Sequence, residues 1–117
     1  MNKPHALAAL AALAQDNRLD VFRLLVEAGP EGMPAGEVAK ALKLAPNTLT
    51  FHFDRLRDAG LVAVRRDGRS MIYTAQYDAM NALIAFLTEN CCRGAAEGCE
   101  QPAVRKPASA KRARVPA

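Results

Sequence analysis

Hydrophobic positions recur along this chain at helical spacing four times before switching to alternation. From His5 to Ala14, Leu7, Leu10 and Leu13 stand at i, i+3 and i+6 in a bed of alanine, which predicts a helix with a thin inward stripe of leucine. Asp16 is placed to cap a second helix, where Leu19, Phe22, Leu25 and Val26 recur until Gly29-Pro30 stops it. After a turn holding Gly32 and Pro34, the segment Pro34 to Leu42 predicts a short helix with Val38, Ala39 and Leu42 inward. Lys43-Leu44-Ala45 then leads to Pro46, which has no backbone donor to lose at a first helical position. The helix starting there should run to about Ala59, with Gly60 as its C-terminal cap.

Within that helix Leu49, Phe53 and Leu56 form an i, i+4, i+7 stripe, leaving Asn47, Thr48, Phe51, Asp54 and Arg55 facing away from it. Leu61 to Arg66 and Ser70 to Ala75 read as strands about Asp67-Gly68, a dipeptide suited to the positive φ angles of a tight hairpin. Tyr77 to Asn90 closes the series, its Met80, Leu83, Ile84 and Leu87 on core spacing and Phe86 widening the apolar face toward a partner subunit. The fold class this order predicts is mainly α with a β-hairpin wing, a winged helix-turn-helix built to enter a DNA groove while holding its backbone. Beyond Glu100, Pro102, Pro107 and Pro116 interleave with small and basic residues that cannot bury enough to order themselves. The expected division is therefore 1–92, a DNA-binding and dimerisation domain, and 93–117, a flexible segment carrying Cys99 and a basic, Pro-containing tail.

Composition changes this picture in three ways. A chain of 117 residues, 50% hydrophobic, has room for one small core that gains from further burial by dimerisation. The net charge of +4 lies wholly in the tail, since residues 1–99 balance 11 basic against 11 acidic side chains. Local placement is what points to DNA: Arg55, Arg57, Arg65, Arg66 and Arg69 face only Asp58 and Asp67 between Arg55 and Ser70, and Arg66 and Arg69 are the first candidates for phosphate. No run approaches the length of a membrane span and the Ala-rich start lacks a signal-peptide arrangement, so a cytoplasmic protein with no membrane partner is expected. No acid–base pair, nucleophile motif or phosphate-cradling loop supports an enzyme.

LAPNTLTFHFDRLRDAGLV, followed by RRDGRSMIYTA, resembles the recognition helix and wing of the ArsR/SmtB family of arsenic- and metal-responsive repressors. The likeness spans roughly Leu7 to Asn90 and includes Asp16, Asn17 and Arg18 opening the second helix. It implies a winged-helix homodimer joined through its first and last helices, bound to palindromic double-stranded operator DNA and released by a metal or metalloid. By position, Asn47, Thr48, Thr50 and His52 fall on the family's groove-facing or phosphate-contacting places, beside the outward Phe51 and Arg55, and Arg65, Arg66 and Arg69 fall on its wing. Two family sites are missing. Met33-Pro34-Ala35-Gly36-Glu37 stands where the best-known arsenic site has a cysteine pair, and the last helix, YDAMNALIAFLTEN, lacks the histidines of the zinc site.

What remains is Cys91, Cys92 and Cys99, a trio like those the family uses for trivalent arsenic at several positions. An odd number with two adjacent makes no disulfide framework. Thiolates select thiophilic ions, and a structural zinc site normally closes with four ligands, whereas As(III) or Sb(III) is satisfied by three sulfurs in a pyramid. His5 and His52 are distant in sequence, and the near alternatives are Glu89, Glu97 and Glu100. Gly94 and Gly98 let the chain between Cys92 and Cys99 reverse, which costs only about 2 kcal/mol in loop closure. The expected function is a metalloid-responsive transcriptional repressor. The alternatives are a redox switch pairing Cys99 with Cys91 or Cys92, and a repressor sensing another thiophilic ion.

Overall fold

In the computed structural model, which describes residues 1–91, eight elements follow one another: α1 (Lys3–Leu13), α2 (Asp16–Ala28), β1 (Met33–Pro34), α3 (Ala35–Leu42), α4 (Pro46–Asp58), β2 (Val62–Asp67), β3 (Ser70–Ala75) and α5 (Tyr77–Thr88). Cys92, Cys99 and the expected 93–117 segment lie outside the described residues. The strands form one antiparallel sheet in the order β1-β3-β2, so the fold is a winged helix-turn-helix.

The first helix turns a different face inward from the one its leucines suggest. Ala6, Ala9 and Ala12 are buried, while Leu7 and Leu10 are 56% and 40% exposed. A face of methyl groups lets the α1 backbone approach its neighbours closely, and close packing at that distance leaves no room for leucine. Its N-terminus is capped by Asn2, whose side chain accepts from the His5 amide at 2.9 Å. For α2 the capping residue is Gln15 rather than Asp16: Gln15 Oε1 accepts from the Arg18 amide at 2.9 Å. Asp16 sits instead in the first turn, where its carboxylate complements the helix dipole.

The third helix begins at Ala35, one residue later than expected, because Met33 and Pro34 pair with β3 opposite Tyr73 and Ile72. Pro34 sits on an edge strand, the sheet position that tolerates a missing donor. Gly32 leads into this strand so close to β3 that a Cβ there would lie 2.5 Å from the Tyr73 carbonyl oxygen and 2.6 Å from Thr74 Cγ2. Only glycine fits.

Between α3 and α4 the chain reverses through Lys43 in the left-handed region (φ 56°), with the Leu44 amide donating to the Ala39 carbonyl. The end of α4 closes at Gly60 as expected. The Leu61 amide reaches the Leu56 carbonyl at 3.0 Å and the Gly60 amide the Arg57 carbonyl at 2.9 Å, the paired bonds of a Schellman motif.

In the wing, Asp67 pairs with Ser70, so the two-residue loop is Gly68-Arg69 and not Asp67-Gly68. Positive φ is confined to Gly68 (65°), which matches the turn type with glycine first.

The core gathers Val21, Leu25, Val38, Phe53, Leu56 and Leu61. Phe53 of α4 stacks on Tyr73 of β3 with ring centroids 3.6 Å apart and planes 4° from parallel, which sets the angle between α4 and the wing. The last helix stops two residues short of Asn90 and contributes one buried side chain, Leu83. Met80 and Phe86 are partly buried against the core, but Leu87, expected inside, is 57% exposed. Tyr77 anchors the start of α5, its hydroxyl donating to the Val26 carbonyl at 3.1 Å. Among the described residues no helix is long and apolar enough to cross a membrane.

Candidate nucleic-acid interface

The outward face of α4 is built by subtraction. Leu49, His52, Phe53 and Leu56 turn into the protein, and Asn47, Thr48, Thr50, Phe51, Asp54 and Arg55 are left exposed. Thr50 is partly committed, since its Oγ1 donates to the Pro46 carbonyl at 3.0 Å. Phe51 is 51% exposed, an unusual position for a large aromatic ring on a helix whose other phenylalanine is fully buried. The Arg55 guanidinium lies over that ring, 5.1 Å from its centroid, one helical turn along. Arg57 and Asp54 approach to 3.9 Å on the exposed surface, where such a pair adds little.

His52 is the one candidate of this helix that the structure buries. Expected in the groove or on a phosphate, it is only 5% exposed, with its ring edge-on to Phe51 at 5.7 Å between centroids. At 100° per residue position 52 falls beside Leu49 and Leu56 rather than opposite them, so burial of the stripe takes the histidine with it. Burial lowers its pKa below the usual 6.5, and the nearby Arg18 cation lowers it further. Arg18 is itself held by its Nε, which donates to the Ala12 carbonyl at 2.7 Å. His52 Nδ1 has no hydrogen-bond partner among the described residues.

The three wing arginines do not act alike. Side chains alternate across a strand, so Arg65 shares a face with its cross-strand partner Ile72, and Arg66 shares the other with Met71, Val64 and Tyr73. The second face is the one stacked on α4. Arg65 is drawn back toward the turn before β1, its Nη2 donating to the Glu31 carbonyl at 3.2 Å. Arg66 and Arg69 stand exposed at the tip. Met71, 40% exposed beside Arg66, adds an apolar side chain that was not singled out in the sequence. The alternation Met71, Tyr73, Ala75 placed it on the α4 side.

An exposed helix face and a basic hairpin, joined rigidly through Phe53 and Tyr73, form the reading head of a helix-turn-helix. A helix-turn-helix domain model matches residues 13–65. The regulator YgaV of Escherichia coli K12, described as an HTH-type transcriptional regulator, is 33% identical over 87 residues, covering 74% of this chain and 86% of YgaV. The crystal structure of an ArsR family transcriptional regulator, RHA00566, is 27% identical with a TM-score of 0.63, covering 76% of this chain and 90% of that one. The chain belongs to the ArsR-like winged-helix transcriptional regulators. HlyU of Vibrio cholerae, a transcriptional activator also solved in a form described as reduced, superimposes with a TM-score of 0.61 at 26% identity, over 80% of this chain and 100% of its own. As an ArsR-like regulator the protein binds DNA, and the elements just described are the ones such a domain offers.

Of the cysteine trio only Cys91 lies within the described residues. It follows Asn90, which takes the left-handed region (φ 59°) just past the end of α5, and is half-buried. Cys92 and Cys99 fall outside. Among the described residues no group of three His, Cys, Asp or Glu side chains is arranged to hold a metal ion.

Proposed function

We propose that this ArsR-like regulator is a homodimeric cytoplasmic repressor that grips palindromic operator DNA and lets go when As(III) or Sb(III) binds Cys91, Cys92 and Cys99. The observation that carries the DNA part is an exposed α4 face and an exposed basic wing tip on elements packed together through Phe53 and Tyr73, an arrangement that supports one subunit engaging a major groove and its flanking phosphates. Dimerisation through α1 and α5 is supported by the leucines these helices leave outside, Leu7, Leu10 and Leu87.

The effector part is supported by chemistry and place. Three thiols exchange for the three hydroxyls of arsenous acid with release of three waters, and the resulting pyramid leaves no ligand wanting. Cys91 lies three residues past the end of α5, so closing such a site would pull on a helix of the proposed subunit contact. For release, ligand must favour a dimer arrangement with poorer groove spacing; a coupling of about 3 kcal/mol weakens operator affinity roughly 100-fold.

The test is a titration of operator-bound protein with arsenite, antimonite, zinc and copper(I) in a reductant that does not compete for them. Serine at position 91, 92 or 99 should leave DNA binding intact and abolish arsenite release. Normal release from all three variants would place the sensor elsewhere. A second reading is favoured by HlyU, which is described in a reduced form: thiol oxidation of the same cysteines. Peroxide-dependent release, with arsenite inert under reducing conditions, selects it.

A further inference from the structure

Phe51 and Arg55 form an exposed unit whose composition is unusual for a phosphate-gripping surface. A ring 51% exposed costs apolar hydration unless a partner covers it, and a phosphate cannot. The major groove offers one strongly apolar feature, the C5-methyl group of thymine, and one strong match for a guanidinium, the O6 and N7 acceptors of guanine. Ring centroid and guanidinium carbon are 5.1 Å apart, close enough to address base pairs stacked about 3.4 Å from each other and too close to skip one. The ring also restricts the guanidinium: held over the aromatic face, Arg55 spends less rotamer freedom on reaching a base.

We propose that Phe51 and Arg55 together read a thymine adjacent to a guanine on one strand, the ring covering the thymine methyl while the guanidinium bonds guanine O6 and N7, a reading that rests on the groove docking proposed above. Asn47 and Thr48, a turn nearer the start of α4, then address the neighbouring pairs of the half-site.

The test uses the full chain and the duplex it selects from a random-sequence pool. Each selected half-site should carry a thymine–guanine neighbour pair. Replacing that thymine by deoxyuridine removes the methyl and no hydrogen bond, and should weaken wild-type binding about fourfold, equivalent to about 0.8 kcal/mol for one buried methyl-sized group. Phe51→Ala should bind both duplexes equally, and Phe51→Leu should recover part of the preference. Replacing the guanine by 7-deazaguanine removes N7 and should weaken wild type roughly tenfold while leaving Arg55→Lys little changed. The deoxyuridine and deazaguanine duplexes need no protein variant, so misfolding cannot mimic the result. Selective binding to a site without the neighbour pair, or equal affinity of wild type for thymine and deoxyuridine duplexes, overturns this inference and leaves the repressor reading standing. A failure to select any sequence overturns the docking itself, and the inference with it.

Discussion

His52 shows how one side chain couples the reading helix to the interior. It is buried, its pKa is lowered by burial and then by Arg18, and its Nδ1 is unpartnered among the described residues. The unfolded chain takes up a proton near the ordinary histidine value of about 6.5, which the native protein resists. The stabilisation is therefore complete above that pH and drains away as pH falls toward the lowered native value. Urea midpoints measured from pH 7.5 down to pH 5.5 should drop more steeply for wild type than for His52→Gln; parallel slopes would show that this histidine does not carry the effect. Arg55 and Phe51, by contrast, belong to the surface.

Among the elements, the wing divides its labour by strand alternation. Arg66 and Arg69 stand exposed and are the ones proposed to neutralise phosphates, whereas Arg65 bonds the Glu31 carbonyl. Arg66→Ala and Arg69→Ala should each reduce the slope of log affinity against log salt by about 0.9, the release of one counterion. Arg65→Ala should leave the slope nearly unchanged and lower the melting temperature instead. An equal slope change for all three, read from binding isotherms over a salt series, would erase the distinction.

These elements were legible in the sequence to the degree that a periodic pattern encoded them. Leu49, Phe53 and Leu56 located α4, and Gly60 located its end, because apolar spacing and a C-terminal glycine report local geometry directly. Strand β1 escaped, since two residues carry no period and Pro34 reads as a breaker until β3 is beside it. Lys43 gave no sign of its left-handed backbone, a role that glycine usually advertises. The choice between the leucines and the alanines of α1 escaped too: both recur every three residues, and only the distance to neighbouring helices decides between them. At the candidate interface the helical repeat read out Asn47, Thr48, Phe51, Asp54 and Arg55 as outward, whereas His52 was placed there only by the family resemblance and sits on the boundary of the stripe.

For the whole molecule, the proposed dimer rests on the outward leucines of α1 and α5. Leu7→Glu or Leu87→Glu should leave the circular dichroism spectrum unchanged and shift sedimentation from dimer to monomer, with operator affinity falling at least 100-fold as the two half-sites lose their linkage. A stable dimer in both variants would move the subunit contact to another surface.

The buried alanine row of α1 has one more consequence. Because α1 is packed through Ala6, Ala9 and Ala12, with Leu13 joining them at its end, the outward Leu7 and Leu10 are spared any duty inside the subunit. Their identities can drift without endangering the native state. Two regulators of this design coexisting in one cell could thus be insulated from cross-pairing by a handful of changes along a single ridge, each leaving the groove-reading head untouched.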